Sequence, residues 1–386
     1  MARATYHIAA LSLHMIWLLF LSKPCTALEP KITRSFPSIL IFGDSTVDTG
    51  NNNFISTIFK ANYSPYGADF PGHVATGRFS DGKLIPDMVA SKLGIKELVP
   101  PFLDTKLSDD NVKTGVSFAS AGSGFDELTA SVSNVIPVMK QIDMFKNYIR
   151  RLQGIVGVDE SRKILNSALV IISAGTNDVN INFYDLPTRQ LQYNISGYQD
   201  FLQDRLQSLI KEIYQLGCRT MVVAGLPPVG CLPIQESIAF QNPLDRKCLE
   251  EQNSDSKAYN QKLAHLLSNL QPQLPGSTIL YADIYTPLID MVNNPHNYGK
   301  PINHLIESHV YLNFLIGAFC RTGFEHVNVG CCGTGMAEAG PLCNSKTSTI
   351  CENPSKFMFW DSIHPTEAAY KFITESLLKQ FADRLN

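Results

Sequence analysis

Short runs of apolar residues, many of them β-branched, recur along the chain, and each is followed by loop residues and then by a stretch of helical periodicity. Near-continuous apolar runs are typical of strands buried on both faces, as in a parallel sheet that helices cover on each side. The pattern therefore predicts an α/β fold with one doubly wound sheet. Its five parallel strands are predicted at residues 38–42, 115–119, 168–173, 220–224 and 278–282.

The clearest helix is predicted at residues 198–216, where apolar residues recur at i, i+3, i+4 and i+7 spacing. Gly217 follows it, and glycine commonly ends helices. Similar stripes of leucine and phenylalanine fall at residues 263–270 and 372–381. Because no Pro/Gly/Ser-rich linker, repeat or low-complexity tract divides the sequence, residues 28–386 are expected to form a single domain.

The first 27 residues have a different character. Arg3 is the only charge before an apolar run at residues 8–21, and Cys25-Thr26-Ala27 offers small residues for a cleavage point. A membrane anchor is the alternative, but a run of about 14 residues is shorter than the roughly 20 that span a bilayer. We therefore expect a signal peptide at residues 1–27, no integral membrane span, and a secreted, extracellular protein, in the apoplast or cell wall if it comes from a plant.

Composition and charge narrow the class of partner. The chain is 44% hydrophobic and 17% charged, which supports a large core and argues against disorder. Lys and Arg number 32 against 35 Asp and Glu, and the basic residues form no cluster. We therefore expect no nucleic-acid partner, while the pattern indicates no particular oligomeric state.

The number and spacing of the cysteines are consistent with an exported protein. Eight lie beyond the leader, and five of these crowd the Gly-rich stretch 320–351, where cross-links could replace core packing. Disulfides are therefore expected. A zinc site is the alternative, but no C-x-x-C pair exists, and the adjacent Cys331 and Cys332 suit bridges to two different partners better than tetrahedral ligation.

Two sequons would be available for glycosylation on an exported chain. Asn194-Ile195-Ser196 is the stronger acceptor. Asn62-Tyr63-Ser64 is weaker, because Pro65 follows it directly.

In a doubly wound sheet, ligands bind beyond the carboxyl ends of the strands, so the loops after the strands are where chemistry is expected. Ser45 follows the first predicted strand, where its hydroxyl is accessible but unreactive until a base takes its proton. Asp361 and His364 stand three residues apart near the other end of the chain. At that spacing the carboxylate can hold one ring nitrogen while the other faces a serine, so we expect a nucleophile, a base and an orienting acid.

A tetrahedral intermediate also needs donors for its oxyanion. Gly122, after the second predicted strand, could offer a backbone N–H, and Asn177, after the third, a side-chain amide; the Ser45 N–H would be a third donor. Helix caps, turns and close backbone packing are the alternative roles of these loops. Pro227-Pro228 and residues 63–70 are candidates for lining the site or for the core. The placement of nucleophile, donors and base on separate strand-end loops favours one shared crevice.

At these residues the chain resembles the plant-type GDSL esterase/lipases of the SGNH hydrolase superfamily, from about Phe36 to the C-terminal helix. The similar blocks are FGDSTVDTGNNN, PYGADFPGHVATGRFSDG, GVSFASAGSG, GTND and FWDSIHPT. The resemblance implies a flavodoxin-like three-layer α/β/α sandwich that hydrolyses small-molecule or lipid acyl esters without metal or organic cofactor. By resemblance, the catalytic residues are Ser45, Asp361 and His364, and the oxyanion hole is formed by Ser45, Gly122 and Asn177.

Three departures from the family pattern stand out. Thr46 replaces the namesake Leu, and Ser117 stands where Asn is more usual. The third is at residues 300–323, where family members run from Tyr-Gly directly into Phe. We interpret these about 24 residues as an insertion, either retained intron sequence or a gene-model error, or else a genuine lid helix, since LNFLIGAF is apolar.

If the inserted segment is spurious, Cys218, at a predicted strand entrance, is expected to be free and buried. A pairing of Cys231 with Cys248 is plausible by proximity, and the other pairings stay open.

The sequence thus predicts a secreted serine esterase or lipase that forms an acyl-enzyme on Ser45. An acyltransferase on the same scaffold is one alternative, because the acyl-enzyme half of the reaction is shared. A non-catalytic secreted binding protein is the other. Its expected signature, the loss of a triad or oxyanion residue, does not occur here.

Overall fold

The computed structural model describes residues 32–240, 246–301, 321–346 and 348–385. The signal peptide predicted at residues 1–27 lies outside these ranges and stays a prediction. Within the described residues, no helix has the length and apolar character needed to cross a membrane.

A parallel four-stranded sheet forms the centre of the fold, and it confirms the predicted α/β class. Its strands, in spatial order, are β1 Ile39–Gly43, β2 Leu169–Ser173, β3 Thr220–Ala224 and β4 Thr278–Ala282. The first residues of all four strands are in register with one another. Because the strands are parallel and equal in length, their carboxyl ends meet at one edge, where ligands bind in such sheets.

The structure corrects the predicted strand count of five. The segment predicted as a strand at residues 115–119 does lie beside β1, where Phe118 N donates to Ile41 O at 2.7 Å, but its only bridge to β1 is a parallel one between Ile41 and Ser117; a second bridge joins Ser117 to Pro101. The ladder does not continue past Phe118, because Gly43 N, the next donor along β1, donates to Gln141 Oε1 at 2.8 Å instead. If this segment is counted as a strand at the outer edge of β1, the spatial order of the strands is that of a flavodoxin-like sheet.

Helices follow the strands and cover both faces of the sheet. In chain order they are α1 Ile85–Lys92, α2 Asp109–Thr114, α3 Glu127–Ser133, α4 Val138–Val156, α5 Val158–Ser167, α6 Ile195–Gln215, α7 Pro233–Ala239, α8 Glu250–Leu270, α9 Tyr285–Asn293 and α10 Glu367–Phe381, with a π-helix at Asp178–Asp185. Helices α4, α6 and α8 pack on one face, and α1, α9 and α10 on the other.

The predicted helix at residues 198–216 is confirmed as part of α6, which buries its apolar stripe against the sheet and α8. The helix begins after Asn194, whose Oδ1 accepts a hydrogen bond from Gly197 N at 2.8 Å, an arrangement that satisfies one of the free N–H groups of the first turn. Gly217 follows the end of the helix with φ +112°.

The side chain of Asn194, the predicted glycosylation acceptor, is exposed. The helix cap uses its Oδ1 atom rather than the Nδ2 atom that would carry a glycan.

Two small ladders lie outside the main sheet. Strand β5 Gly299–Pro301 runs antiparallel to β6 Arg321–Gly323, and β7 His326–Gly330 runs parallel to β8 Phe357–Phe359. Gly299 pairs directly with Gly323, so the flanks of the suspected insertion at residues 300–323 meet at one point. Most of that segment lies outside the described residues, and its origin stays a prediction.

Three disulfides are present, as the cysteine pattern predicts. Cys231 pairs with Cys248, and the adjacent Cys331 and Cys332 bridge to different partners, Cys351 and Cys343. The backbone N–H groups of Cys331 and Cys332 donate to the carbonyl oxygens of residues 359 and 360, at 3.0 and 2.9 Å. The cross-linked loop therefore fixes the strand that leads to Asp361.

The remaining described cysteine, Cys218, is free and buried, also as predicted. Burial raises the pKa of its thiol to about 12. Cys320 lies outside the described residues.

Candidate active site

The first component of the site is the turn after β1 that carries Ser45. Gly43 ends the strand with φ +148°, and a Cβ there would lie 1.9 Å from the Ser173 carbonyl oxygen, so only glycine fits against β2. The buried Gln141 side chain holds the same residue from α4: its Nε2 donates to Gly43 O and its Oε1 accepts from Gly43 N, both at 2.8 Å. The position of Ser45 is thus determined by the sheet.

The structure brings Ser45, His364 and Asp361 together. His364 Nε2 lies 2.8 Å from Ser45 Oγ, although the residues are 319 positions apart in sequence, and His364 Nδ1 lies 2.8 Å from Asp361 Oδ2. Asp361 is fully buried, and Ser45 and His364 are 6% and 4% exposed. The three side chains thus form a continuous chain of hydrogen-bonding contacts from the Ser45 hydroxyl through the imidazole to the Asp361 carboxylate.

The Asp361 carboxylate is held on both of its oxygens. Oδ1 accepts hydrogen bonds from Ile363 N at 2.9 Å and His364 N at 2.8 Å, and Oδ2 accepts one from the Tyr66 hydroxyl at 2.8 Å. Gly340 N donates in turn to the Tyr66 oxygen at 2.8 Å. The carboxylate is therefore fixed in orientation as well as in position.

Neither spacing nor motif chemistry predicts this role for Tyr66. The available signals are its place in the PYGADFPGHVATGRFSDG block and in residues 63–70, which are candidates for lining the site or for the core. Burial and the neighbouring Asp361 charge hold the pKa of Tyr66 well above its ordinary range, so the phenol remains a hydrogen-bond donor.

Gly122 and Asn177, two of the three predicted oxyanion donors, lie on neighbouring loops. Asn177 Nδ2 donates to Ser123 O at 2.9 Å, and because the amide nitrogen carries two hydrogens, the second can serve another acceptor. Asn177 and Ser45 line the same cavity. Gly122, next to Ser123, has φ +84°, a conformation that side chains rarely adopt.

Buried polar side chains of the FGDSTVDTGNNN block hold the backbone that leads to Gly122. Asp48 Oδ2 accepts from Ala121 N at 3.0 Å, and Asn52 Nδ2 donates to Ala121 O at 2.9 Å. Asn51 holds the preceding turn through Ala119 O, and all three polar residues are at most 1% exposed. The sequence marks these residues only as part of a family block; that they are structural becomes visible once their burial is known.

The Asp of the GTND block has a similar role. Asp178 accepts hydrogen bonds from Phe125 N at 2.8 Å, Asp126 N at 3.1 Å and Thr129 Oγ1 at 2.5 Å. Burial raises its pKa to about 7. The loop after β2 is thereby tied to the loop that bears Gly122.

Both single-residue departures from the family pattern are accommodated by hydrogen bonds. Thr46 donates from its N and its Oγ1 to Asp44 Oδ1, at 3.0 and 2.8 Å. Ser117 Oγ donates to Val47 O at 3.0 Å and accepts from Ala119 N at 3.2 Å. The serine hydroxyl therefore still supports the turn before Gly122.

A hydrogen-bonded serine, histidine and aspartate beside the carboxyl ends of a parallel sheet is an arrangement typical of serine hydrolases. Comparison with known proteins agrees. The chain belongs to the GDSL-like lipase/acylhydrolase family, whose family model matches residues 39–377.

Three Arabidopsis thaliana proteins illustrate the similarity. The chain is 54% identical to GDSL esterase/lipase At2g30310 over 340 residues, which is 88% of each chain. It is 52% identical to GDSL esterase/lipase At2g30220 over 340 residues, again 88% of each, and 49% identical to GDSL esterase/lipase At1g06990 over 345 residues, 89% of each. The family resemblance indicated by the sequence motifs is confirmed.

The buried Asp44 beside Ser45 makes stability depend on pH. Burial raises its pKa from 3.8 to about 6, against the hydrogen bonds from Thr46 and the influence of His364. The folded chain therefore holds this proton more tightly than the unfolded chain, so the stabilisation is complete below pH about 4 and is lost as pH rises through 6. Asp44→Asn keeps both Thr46 hydrogen bonds through its Oδ1 but does not titrate.

We therefore expect the free energy of unfolding of the wild type to fall, relative to Asp44→Asn, by about 2 kcal/mol between pH 4 and pH 7. Denaturant titrations at a series of pH values measure the difference. Asp159→Asn, at an exposed position, is the control and should follow the wild type. Parallel curves for the wild type and Asp44→Asn would contradict the assignment.

Proposed function

We propose that this protein is a secreted serine esterase that hydrolyses acyl esters through an acyl-enzyme on Ser45. The observation that carries the proposal is the 2.8 Å contact between His364 Nε2 and Ser45 Oγ, with the other ring nitrogen held by Asp361. A hydroxyl becomes a useful nucleophile when a neutral imidazole can take its proton, and a buried carboxylate keeps the imidazole in the required tautomer.

In the first half of the reaction, Ser45 Oγ attacks the ester carbonyl carbon while His364 Nε2 takes the hydroxyl proton. The carbonyl oxygen becomes an oxyanion, which accepts hydrogen bonds from Ser45 N–H, Gly122 N–H and the Asn177 amide. When the intermediate collapses, the bond to the alcohol oxygen breaks and His364 gives its proton to the leaving alcohol. The acyl group stays on Ser45 Oγ.

In the second half, water replaces the alcohol. His364 Nε2 takes a proton from water, and the oxygen attacks the acyl carbon, passing through a second oxyanion held by the same donors. The bond to Ser45 Oγ then breaks, and His364 returns the proton to the serine. Asp361 keeps its contact with His364 Nδ1 throughout and stabilises the imidazolium that forms twice in each cycle.

Export is supported by two features of the chain. Residues 1–27 have the composition of a cleavable leader. Three disulfides are present among the described residues, and disulfides persist in oxidising compartments. On this proposal Asn194 carries a glycan.

The proposed nucleophile is tested by active-site labelling. Ser45→Ala should abolish covalent labelling by a fluorophosphonate probe and hydrolysis of p-nitrophenyl esters, with an unchanged circular dichroism spectrum. Ser131→Ala, at an exposed serine of α3, is the control and should label normally. Asn177→Ala should still label, but with turnover lower by about 10² to 10³, because one oxyanion donor is removed. Undiminished labelling of Ser45→Ala would refute the mechanism.

The positioning role of Tyr66 is tested by a pH profile. Tyr66→Phe removes one donor from the Asp361 carboxylate, which then holds the imidazolium more strongly. The acid limb of kcat/KM should move to higher pH, and kcat should fall by about tenfold. Tyr63→Phe is a matched control, because that hydroxyl makes no hydrogen bond within the described residues. Lower activity with an unmoved acid limb would leave Tyr66 with a structural role only.

Export and glycosylation are tested together in a eukaryotic secretory host. The full chain should appear in the medium without residues 1–27, and digestion with a peptide N-glycosidase should lower its apparent mass. Asn194→Gln should remove most of that mass change, whereas Asn62→Gln should remove little of it, since proline follows that sequon. A protein retained in the cell with its leader intact would contradict secretion.

A further inference from the structure

Residues 78–81, in the PYGADFPGHVATGRFSDG block, lie beside His364. The ring centroids of Phe79 and His364 are 5.0 Å apart, and the planes of the two rings are inclined by 42°. Aromatic rings at this separation are in contact, and Phe79 is 2% exposed. The two ring nitrogens of His364 face Ser45 and Asp361, so Phe79 adds a third contact, which is made through the ring itself.

The two residues after Phe79 hold the backbone that follows the histidine. Ser80 Oγ lies 3.0 Å from Pro365 O and 2.9 Å from Asp81 Oδ1. Asp81 Oδ1 also accepts a hydrogen bond from Glu367 N at 2.7 Å. Ser80 and Asp81 are at most 1% exposed, and hydrogen bonds are stronger in such surroundings than in water. The segment therefore contacts both the histidine side chain and the main chain beyond it.

A buried ion pair anchors the segment independently of the histidine loop. Arg78 Nε and Nη2 each donate to one carboxylate oxygen of Asp87 in α1 at 2.8 Å, and Arg78 Nη1 donates to Thr49 O at 3.1 Å. A bidentate pair of this kind fixes the guanidinium in direction as well as in distance. Because Phe79 follows Arg78 directly, its position is set by α1 and by the loop after β1, and not by His364.

Phe79 also packs on the residue that fixes the acid of the triad. The ring centroids of Phe79 and Tyr66 are 5.5 Å apart, and the Tyr66 hydroxyl donates to Asp361. Hydrogen bonds at its two nitrogens restrain the imidazole against rotation about the line that joins them only through the angular preference of those bonds. A close-packed ring to one side of that line opposes the rotation directly.

We propose that Phe79, Ser80 and Asp81 are positioning residues, which keep the His364 imidazole aligned with Ser45 Oγ while the serine proton is transferred. We call these three residues the imidazole support. The proposal rests on the esterase function proposed above. None of the three lines the cavity beside Ser45, so the support acts through His364. Its loss should therefore slow the chemical step and leave substrate binding unchanged.

The first test separates turnover from binding. Phe79→Leu keeps an apolar side chain and removes the aromatic ring. The kcat for a p-nitrophenyl ester should fall by about 10- to 100-fold, while KM changes by less than about twofold. Phe324→Leu is the matched control and should keep the wild-type kcat, because Phe324 is 1% exposed and its ring packs on Phe372. A wild-type kcat in Phe79→Leu, or equal losses in the two variants, would overturn the proposal.

A second pair of variants tests the main-chain contacts. Asp81→Ala removes the acceptor for Glu367 N, whereas Asp81→Asn retains an acceptor at Oδ1. We expect Asp81→Ala to lower kcat by about tenfold without a change in KM, and Asp81→Asn to keep most of the activity. Equal losses in the two variants would overturn the assignment of Asp81. If Asp81→Ala does not fold, Phe79→Leu decides the proposal.

A spectroscopic measurement separates this proposal from the proposed function. The His364 Nδ1–H that is hydrogen-bonded to Asp361 should give a far-downfield proton resonance, which is identified by its loss in His364→Ala. Phe79→Leu should broaden this resonance, because the imidazole then samples several orientations, and Phe324→Leu should leave it unchanged.

The two proposals fail in different ways. If the wild type neither labels nor hydrolyses any ester, the esterase function fails whatever the resonance does. If the wild type is active and Phe79→Leu leaves the resonance as sharp as in the wild type, only the imidazole support fails.

Discussion

The contact between His364 Nε2 and Ser45 Oγ joins the end of β1 to a loop near the C-terminus, and the surrounding structure serves to make that contact possible. Two disulfides and the backbone hydrogen bonds of Cys331 and Cys332 fix the strand before Asp361. Tyr66 then fixes the carboxylate itself. An imidazole positioned from so far along the chain needs such cross-links, because a 2.8 Å contact tolerates little displacement.

The site also has a cost in stability. Asp44, Asp48 and Asp178 are buried close to Ser45 and the donor loops, and burial raises the pKa of each carboxyl to between about 6 and 7. Their hydrogen bonds to backbone N–H groups offset part of that desolvation. The polar run DTGNNN is thus better understood as an internal scaffold for the Gly122 loop than as a solvated turn, since its buried side chains hydrogen-bond to the backbone of residues 117–121.

Local patterns in the sequence determine the α/β class, the main helices and the family, because hydrophobic period, turn chemistry and motif identity are local properties. The same patterns point to the Cys231–Cys248 bridge and to the residues that lie near Ser45. Tertiary structure alone decides the rest. Gln141 takes the Gly43 N–H that would continue the ladder to the predicted strand, and Tyr66 reaches Asp361 from 295 positions away. These features depend on contacts between distant segments, which no window of neighbouring residues encodes.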